Sequence, residues 1–136
     1  MGARRRGREA ALQMLYGMDA AGWRTEDAIR SYWTHLGGTA EGREFADTLV
    51  RGVAESRERL DETIRGVSHH WRLERMTRVD RNILRMATFE LMSLPDVPRR
   101  VTLNEAIELA KRFGSEGSAR FVNGVLDRIA SDLGKD

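Results

Sequence analysis

The stretch T77-RVDRNILRMATFELMSLPDV-P98 settles the fold class. Thr77 followed by Asp80 at the third position is an acid-bearing form of the helix capping box. Behind it, Val79, Ile83, Ala87, Leu91 and Leu94 recur at the three-to-four residue spacing of one helical face. Pro95 and Pro98 then close the segment, because neither can continue a helix. Both prolines of the chain lie in this turn, strand signals are scarce, and the same spacing recurs on either side. The expectation is an all-α protein.

Working outward, Arg4–Ala21 reads as a helix with Ala11, Leu12, Leu15, Tyr16 and Met18 on its apolar face, ended by Gly22. Thr25 is placed to cap a second helix, with Glu26 and Asp27 in the first turn, where the helix dipole favours acids. That helix should stop at Gly37-Gly38. Phe45, Leu49, Val53, Leu60, Ile64 and Val67 predict one long third helix, with Ser56 filling the gap in its stripe. The pattern breaks over residues 68–76, a short helix or turn carrying Trp71. Beyond the prolines, Thr102-Leu-Asn-Glu105 matches the capping box and should open a helix running to Gly114. After Ser115-Glu116-Gly117, a last helix carries Phe121, Val122, Val125, Leu126, Ile129 and Leu133. The count is six main helices and a short seventh. They divide into two packed small bundles, residues 1–67 and 68–136, that together make one domain.

Composition narrows the function. There is no cysteine, so disulfides and cysteine-based metal sites are excluded. His69 and His70 are adjacent and would diverge on a helix, and His35 is distant in sequence, so no metal site is read. No apolar run approaches the roughly 18 residues of a membrane span. The would-be signal-peptide core is interrupted by Gln13, Gly17 and Asp19. The expected location is the cytoplasm. No nucleophile motif occurs, and Gly114–Ser118 lacks the Lys-Ser/Thr ending of a phosphate-binding loop and follows a helix instead of a strand. No catalytic residue and no cofactor are assigned.

Charge points to recognition. The formal net charge is +2, but residues 1–24 hold five arginines against two acids, while residues 25–64 hold five basic residues against nine acids. Arg4, Arg5, Arg6 and Arg8 crowd a helix start, where unpaired backbone N–H groups also favour anions. Tyr16, two to three turns on, is a candidate either for the core or for contact with a base. A second candidate surface is the start of the last helix, where Ser118, Arg120 and Asn123 offer polar contacts. Phe121 could stack on a base or pack in the core, where Val122 competes with it. Asn123-Gly124 near a helix start suggests a close approach by another helix or a ligand.

Taken together, R4-RRGREAALQML-Y16, F45-ADTLVRG-V53, W71-RLERMTRVDRNILRMATFE-L91 and V97-PRRVTLNEAIELAKRFGSEGSARFVNGVLDR-I129 resemble the NusB family of bacterial transcription antitermination factors. The resemblance covers nearly the whole chain, least clearly over residues 22–43. It implies an all-α fold and a non-enzymatic RNA-binding protein. It also implies a partner, the ribosomal protein NusE, with which single-stranded boxA RNA of ribosomal RNA leaders is bound before assembly with other Nus factors and RNA polymerase. On this resemblance, Tyr16 and Phe121 are the RNA-contacting aromatics beside Arg4, Arg5, Arg6 and Arg8. Gly117 stands where some relatives carry an acid. NusE is expected near Arg75, Arg78 and Asp80. The resemblance allows either a monomer or a homodimer. Three other readings compete: a NusB-like module of a ribosomal RNA cytosine methyltransferase, a protein-only scaffold, and a helix-turn-helix DNA binder. The first needs a further catalytic domain, and the last needs an exposed base-reading cluster that the sequence does not display.

Overall fold

The computed structural model describes residues 2–36 and 40–136, so the expected stop at Gly37-Gly38 lies outside the described residues. The described residues form seven α-helices and one 3₁₀ turn, with no strand. The helices are α1 (Ala3–Ala21), α2 (Thr25–His35), α3 (Arg43–Glu55), α4 (Arg57–Val67), α5 (Arg78–Ser93), α6 (Arg99–Phe113) and α7 (Ser118–Asp132). The 3₁₀ turn spans Leu73–Arg75. None of these helices is long and apolar enough to cross a membrane.

The chain divides into two compact units, Met1–Glu55 and Ser56–Asp136. The division therefore falls earlier than the expected break after residue 67. The reason is local. The predicted long third helix is two helices, α3 and α4, separated at Ser56. Serine leaves the apolar stripe empty at that position and is favoured at helix starts over helix interiors. Its carbonyl accepts the first hydrogen bond of α4, from the Leu60 amide.

In the first unit, α1 lies against α3. Ala10, Ala11, Leu12, Met14 and Leu15 from α1 are buried, as are Ala46, Leu49, Val50 and Val53 from α3, while α2 contributes Ala28 and Ile29. The start of α1 approaches the start of α3 at backbone distance. A Cβ on Gly7 would stand 2.7 Å from the Gly42 carbonyl oxygen, and one on Gly42 would stand 2.2 Å from that of Ala3. Gly42 also has φ +81°, a left-handed conformation that glycine adopts without steric cost. The Trp33 indole N–H donates to Asp47 at 2.8 Å, joining α2 to α3. Thr25 is not a cap. It is the first helical residue, Arg24 precedes it in extended conformation, and no side chain caps this end.

In the second unit, α5 is the central helix. It contacts α4, α6 and α7, and every residue from Asn82 to Leu91 is buried. The Thr77 hydroxyl accepts from the Asp80 amide at 3.1 Å, so the capping box predicted there forms its side-chain-to-backbone bond. Because α5 is enclosed all round, its buried charged side chains Arg85 and Glu90 require partners inside, while the Thr88 hydroxyl is buried without one. Arg85 donates from Nε to Asp61 Oδ1 at 2.7 Å and from Nη2 to Oδ2 at 3.2 Å, a two-pronged pair between α5 and α4. Asn82 accepts a third bond from the same guanidinium at 3.4 Å. Glu90 accepts from the Thr102 hydroxyl at 3.1 Å, which ties α5 to α6.

That last bond corrects the expected start of α6. The helix begins a turn earlier, at Arg99 directly after Pro98, and Thr102 sits inside it, fully buried. The Thr-x-x-Glu pattern is present, but its hydroxyl is used across helices and not for a cap.

Removing one partner of a buried, hydrogen-bonded ion pair leaves an uncompensated charge, at a cost of about 3–5 kcal/mol. Asp61→Ala should destabilise the protein by about that amount in urea unfolding. The double variant Asp61→Ala with Arg85→Met should recover most of the loss. Equal instability of the single and double variants would show that the pair does not lock α4 to α5.

Candidate nucleic-acid interface

The first candidate surface is the start of α1. The arginines lie within the helix and not ahead of it, since Gly2 is the capping position. Helical geometry then sorts them. Arg4 and Arg8, four residues apart, share a face and stand over the same ring, with their guanidinium carbons 4.8 and 5.0 Å from the Phe45 centroid. Arg4 remains exposed, whereas Arg8 is only 3% exposed. Arg8 therefore belongs to the packing of α1 on α3 and leaves the group of surface cations expected from the sequence. Arg5 and Arg6 are exposed. Arg6 Nη1 meets Glu41 Oε2 at 2.7 Å, a surface pair that is weak and salt-screened.

Tyr16 resolves toward solvent. Its neighbours Leu12 and Leu15 take the core, and Tyr16 stays 42% exposed. Its helix therefore presents exposed arginines at its start and an accessible phenol near its end.

The second candidate surface is in the other unit, at the start of α7. Gly117 precedes the helix with φ +90°, which explains glycine at this position. Ser118 is 2% exposed, and its hydroxyl accepts the Ser115 amide at 3.0 Å. It is a loop staple turned inward, so the sequence-based assignment of Ser118 as a contact residue is not supported by its position. Arg120 and Asn123 are exposed. Gly124 faces open space, so no close helix approach explains it.

Val122 wins the competition for the core and is fully buried. Phe121 is left half-exposed, edge-on to Trp71, with ring centroids 6.1 Å apart and planes at 75°. Trp71 was not among the candidate residues, yet it is 62% exposed. The available signal was a tryptophan in the one stretch where helical periodicity fails.

The expected partner residues lie in the same unit. Arg75 ends the 3₁₀ turn and Arg78 begins α5, both exposed. Asp80 is largely buried, and its Oδ1 has no hydrogen-bond partner. Nearby, the Arg65 guanidinium donates to Glu74 at 2.6 Å and holds that carboxyl below the usual carboxylate range. Among the described residues, no three histidine, aspartate or glutamate side chains are grouped to hold a metal.

Each unit thus carries exposed arginines and an accessible aromatic ring, Tyr16 in the first and Phe121 in the second. Comparison with known proteins identifies the lineage. A sequence model of the NusB family matches residues 5–131. The transcription antitermination protein NusB of Sorangium cellulosum is 57% identical over 135 residues, 99% of this chain and 96% of that protein. Among solved structures, T. maritima NusB superposes with a TM-score of 0.85 at 39% identity, covering 95% of this chain and 91% of that one. A crystal structure of the antitermination factors NusB and NusE in complex with double-stranded RNA gives a TM-score of 0.85 at 26% identity, covering 96% of this chain and 97% of that one. With sequence and fold agreeing over almost its full length, the chain belongs to the NusB family.

Proposed function

We propose that this chain is a non-catalytic transcription antitermination factor. With NusE it binds the boxA element of nascent ribosomal RNA transcripts and helps assemble other Nus factors on RNA polymerase. The observation that carries the reading is family membership joined to a relative of the same fold crystallised with NusE and RNA. The exposed chemistry described above supports it.

In this reading Arg4, Arg5 and Arg6 attract phosphates, while Tyr16 and Phe121 meet bases splayed out of a single strand. Arg120 and Asn123 add polar contacts beside Phe121. NusE docks around Arg75, Arg78 and Asp80, where Arg75 and Arg78 are the exposed members. The chain makes and breaks no bond. Its contribution is to hold RNA and partner together. A protein-only scaffold is the competing reading, and RNA titration separates the two.

Fluorescence anisotropy with a short boxA-like single strand, with and without NusE, tests the proposal against a scrambled strand. Tighter and sequence-selective binding with NusE is expected. Equal, weak binding to both strands in every condition would overturn it. With Arg8 buried, three exposed arginines remain at the start of α1, and at about 0.7 per phosphate they should contribute about −2 to the slope of log K against log salt. Arg5→Ala with Arg6→Ala should weaken binding and flatten that slope, and an unchanged slope would place the phosphates elsewhere. Base–aromatic stacking is worth about 1–3 kcal/mol per base, so Phe121→Ala should lose about fivefold in affinity or more while its circular dichroism stays native. Loss of the native spectrum would instead make Phe121 a packing residue.

A further inference from the structure

The segment between α4 and α5 forms a small cleft of about 310 Å³, lined by Arg65, Ser68, His69, Trp71, Arg72 and Leu73, with Glu74 at its edge. This lies at the lower end of the range of about 300–1,000 Å³ typical of small-ligand pockets. Its wall is preorganised. The Ser68 hydroxyl donates to the Ile64 carbonyl at 2.8 Å, and the Trp71 amide donates to the Ser68 carbonyl at 3.0 Å. The Arg75 amide donates to the Arg72 carbonyl at 2.9 Å, and the Arg65–Glu74 pair spans the segment. Phe121 then braces the indole from α7. A large aromatic on a hydrogen-bonded turn, met on one side by Phe121 and otherwise left mostly in water, is a surface offered to something flat.

Charge selects what that is. Residues 65–78 contain Arg65, Arg72, Arg75 and Arg78 against the single acid Glu74; Arg65 engages that acid and Arg75 and Arg78 are given to NusE above, which leaves Arg72, next to Trp71, for the nucleotide. All four arginines are exposed. An aromatic face set among cations suits a nucleotide, which carries a base to stack and a phosphate to pair. We propose that Trp71 is a stacking platform for one base of single-stranded RNA, continuous with the contact at Phe121, and that Arg72 meets the adjoining phosphate. This inference rests on the RNA-binding reading above and adds to it a nucleotide site, with Trp71 and Arg72 as its binding residues.

The test uses the full chain with NusE and a labelled boxA-like single strand. Trp71→Ala should weaken RNA binding at least fivefold, Trp71→Phe should stay within twofold of the parent, and affinity for NusE alone should not change. Arg72→Ala, a surface change that leaves the fold intact, should reduce the salt slope by about 0.7. A 2-aminopurine placed along the strand should be quenched at one position by the parent protein and by Trp71→Phe, and not by Trp71→Ala. RNA binding unchanged in Trp71→Ala and Arg72→Ala, while Phe121→Ala loses affinity, would overturn the nucleotide site and leave the RNA reading standing. Loss of NusE affinity with RNA affinity retained would make this a protein-docking face. Failure of the parent protein to bind RNA at all would overturn both readings.

Discussion

The second unit is organised by one buried ion pair. Arg85 sits in the middle of α5, a helix enclosed on every side, and a guanidinium there must be neutralised and hydrogen-bonded or it would not stay folded inside. Asp61 of α4 supplies both oxygens, and Asn82 supplies a further acceptor. This requirement places α4 against α5. It also gives α4 to the second unit, although a single residue separates it in sequence from α3. Between α4 and α5 runs the segment that presents Trp71, and both ends of that segment are anchored by helices the ion pair has already positioned.

Arginine serves two opposed purposes in this chain, and tertiary context assigns them. Arg8 and Arg85 are buried and bind the fold together, one over the Phe45 ring and one against Asp61. Arg99 joins the start of α6 to Asp127 of α7. Arg4, Arg5 and Arg6 on α1, and Arg72, Arg75 and Arg78 around the 3₁₀ turn, remain at the surface. A count of basic residues near a helix start therefore overstates the surface cation, because side chains four apart on α1 were drawn to one aromatic ring.

The aromatics follow a complementary rule. Each candidate competed with an aliphatic neighbour for the interior, and the aliphatic won. Leu12 and Leu15 are buried beside exposed Tyr16, and Val122 is buried beside half-exposed Phe121. Buried, the Tyr16 hydroxyl would need a partner, which its aliphatic neighbours do not; Phe121 has no polar atom, and its half-exposure follows from Val122 holding the buried face of α7. At the surface, the flat faces of both rings are available to bases, which connects the packing of both units to the proposed RNA contacts.

Much of this was legible in the sequence. Helical periodicity and the Thr77 cap established an all-α chain, and the end of α1 was readable from Gly22, because these signals are local to one turn of backbone. The motifs carrying the family resemblance were equally local. What sequence could not decide is where a side chain ends up once another helix arrives. Thr102 looked like a cap and became a partner for Glu90. Ser118 looked like a contact and became a loop staple. Ser56 looked like a tolerated gap and became the boundary between units. Trp71 lay in a stretch with no periodicity to read. For Thr102, Ser118 and Trp71 the deciding partner is on a different element or across a turn, and burial, charge pairing and ring contact exist only after those elements pack.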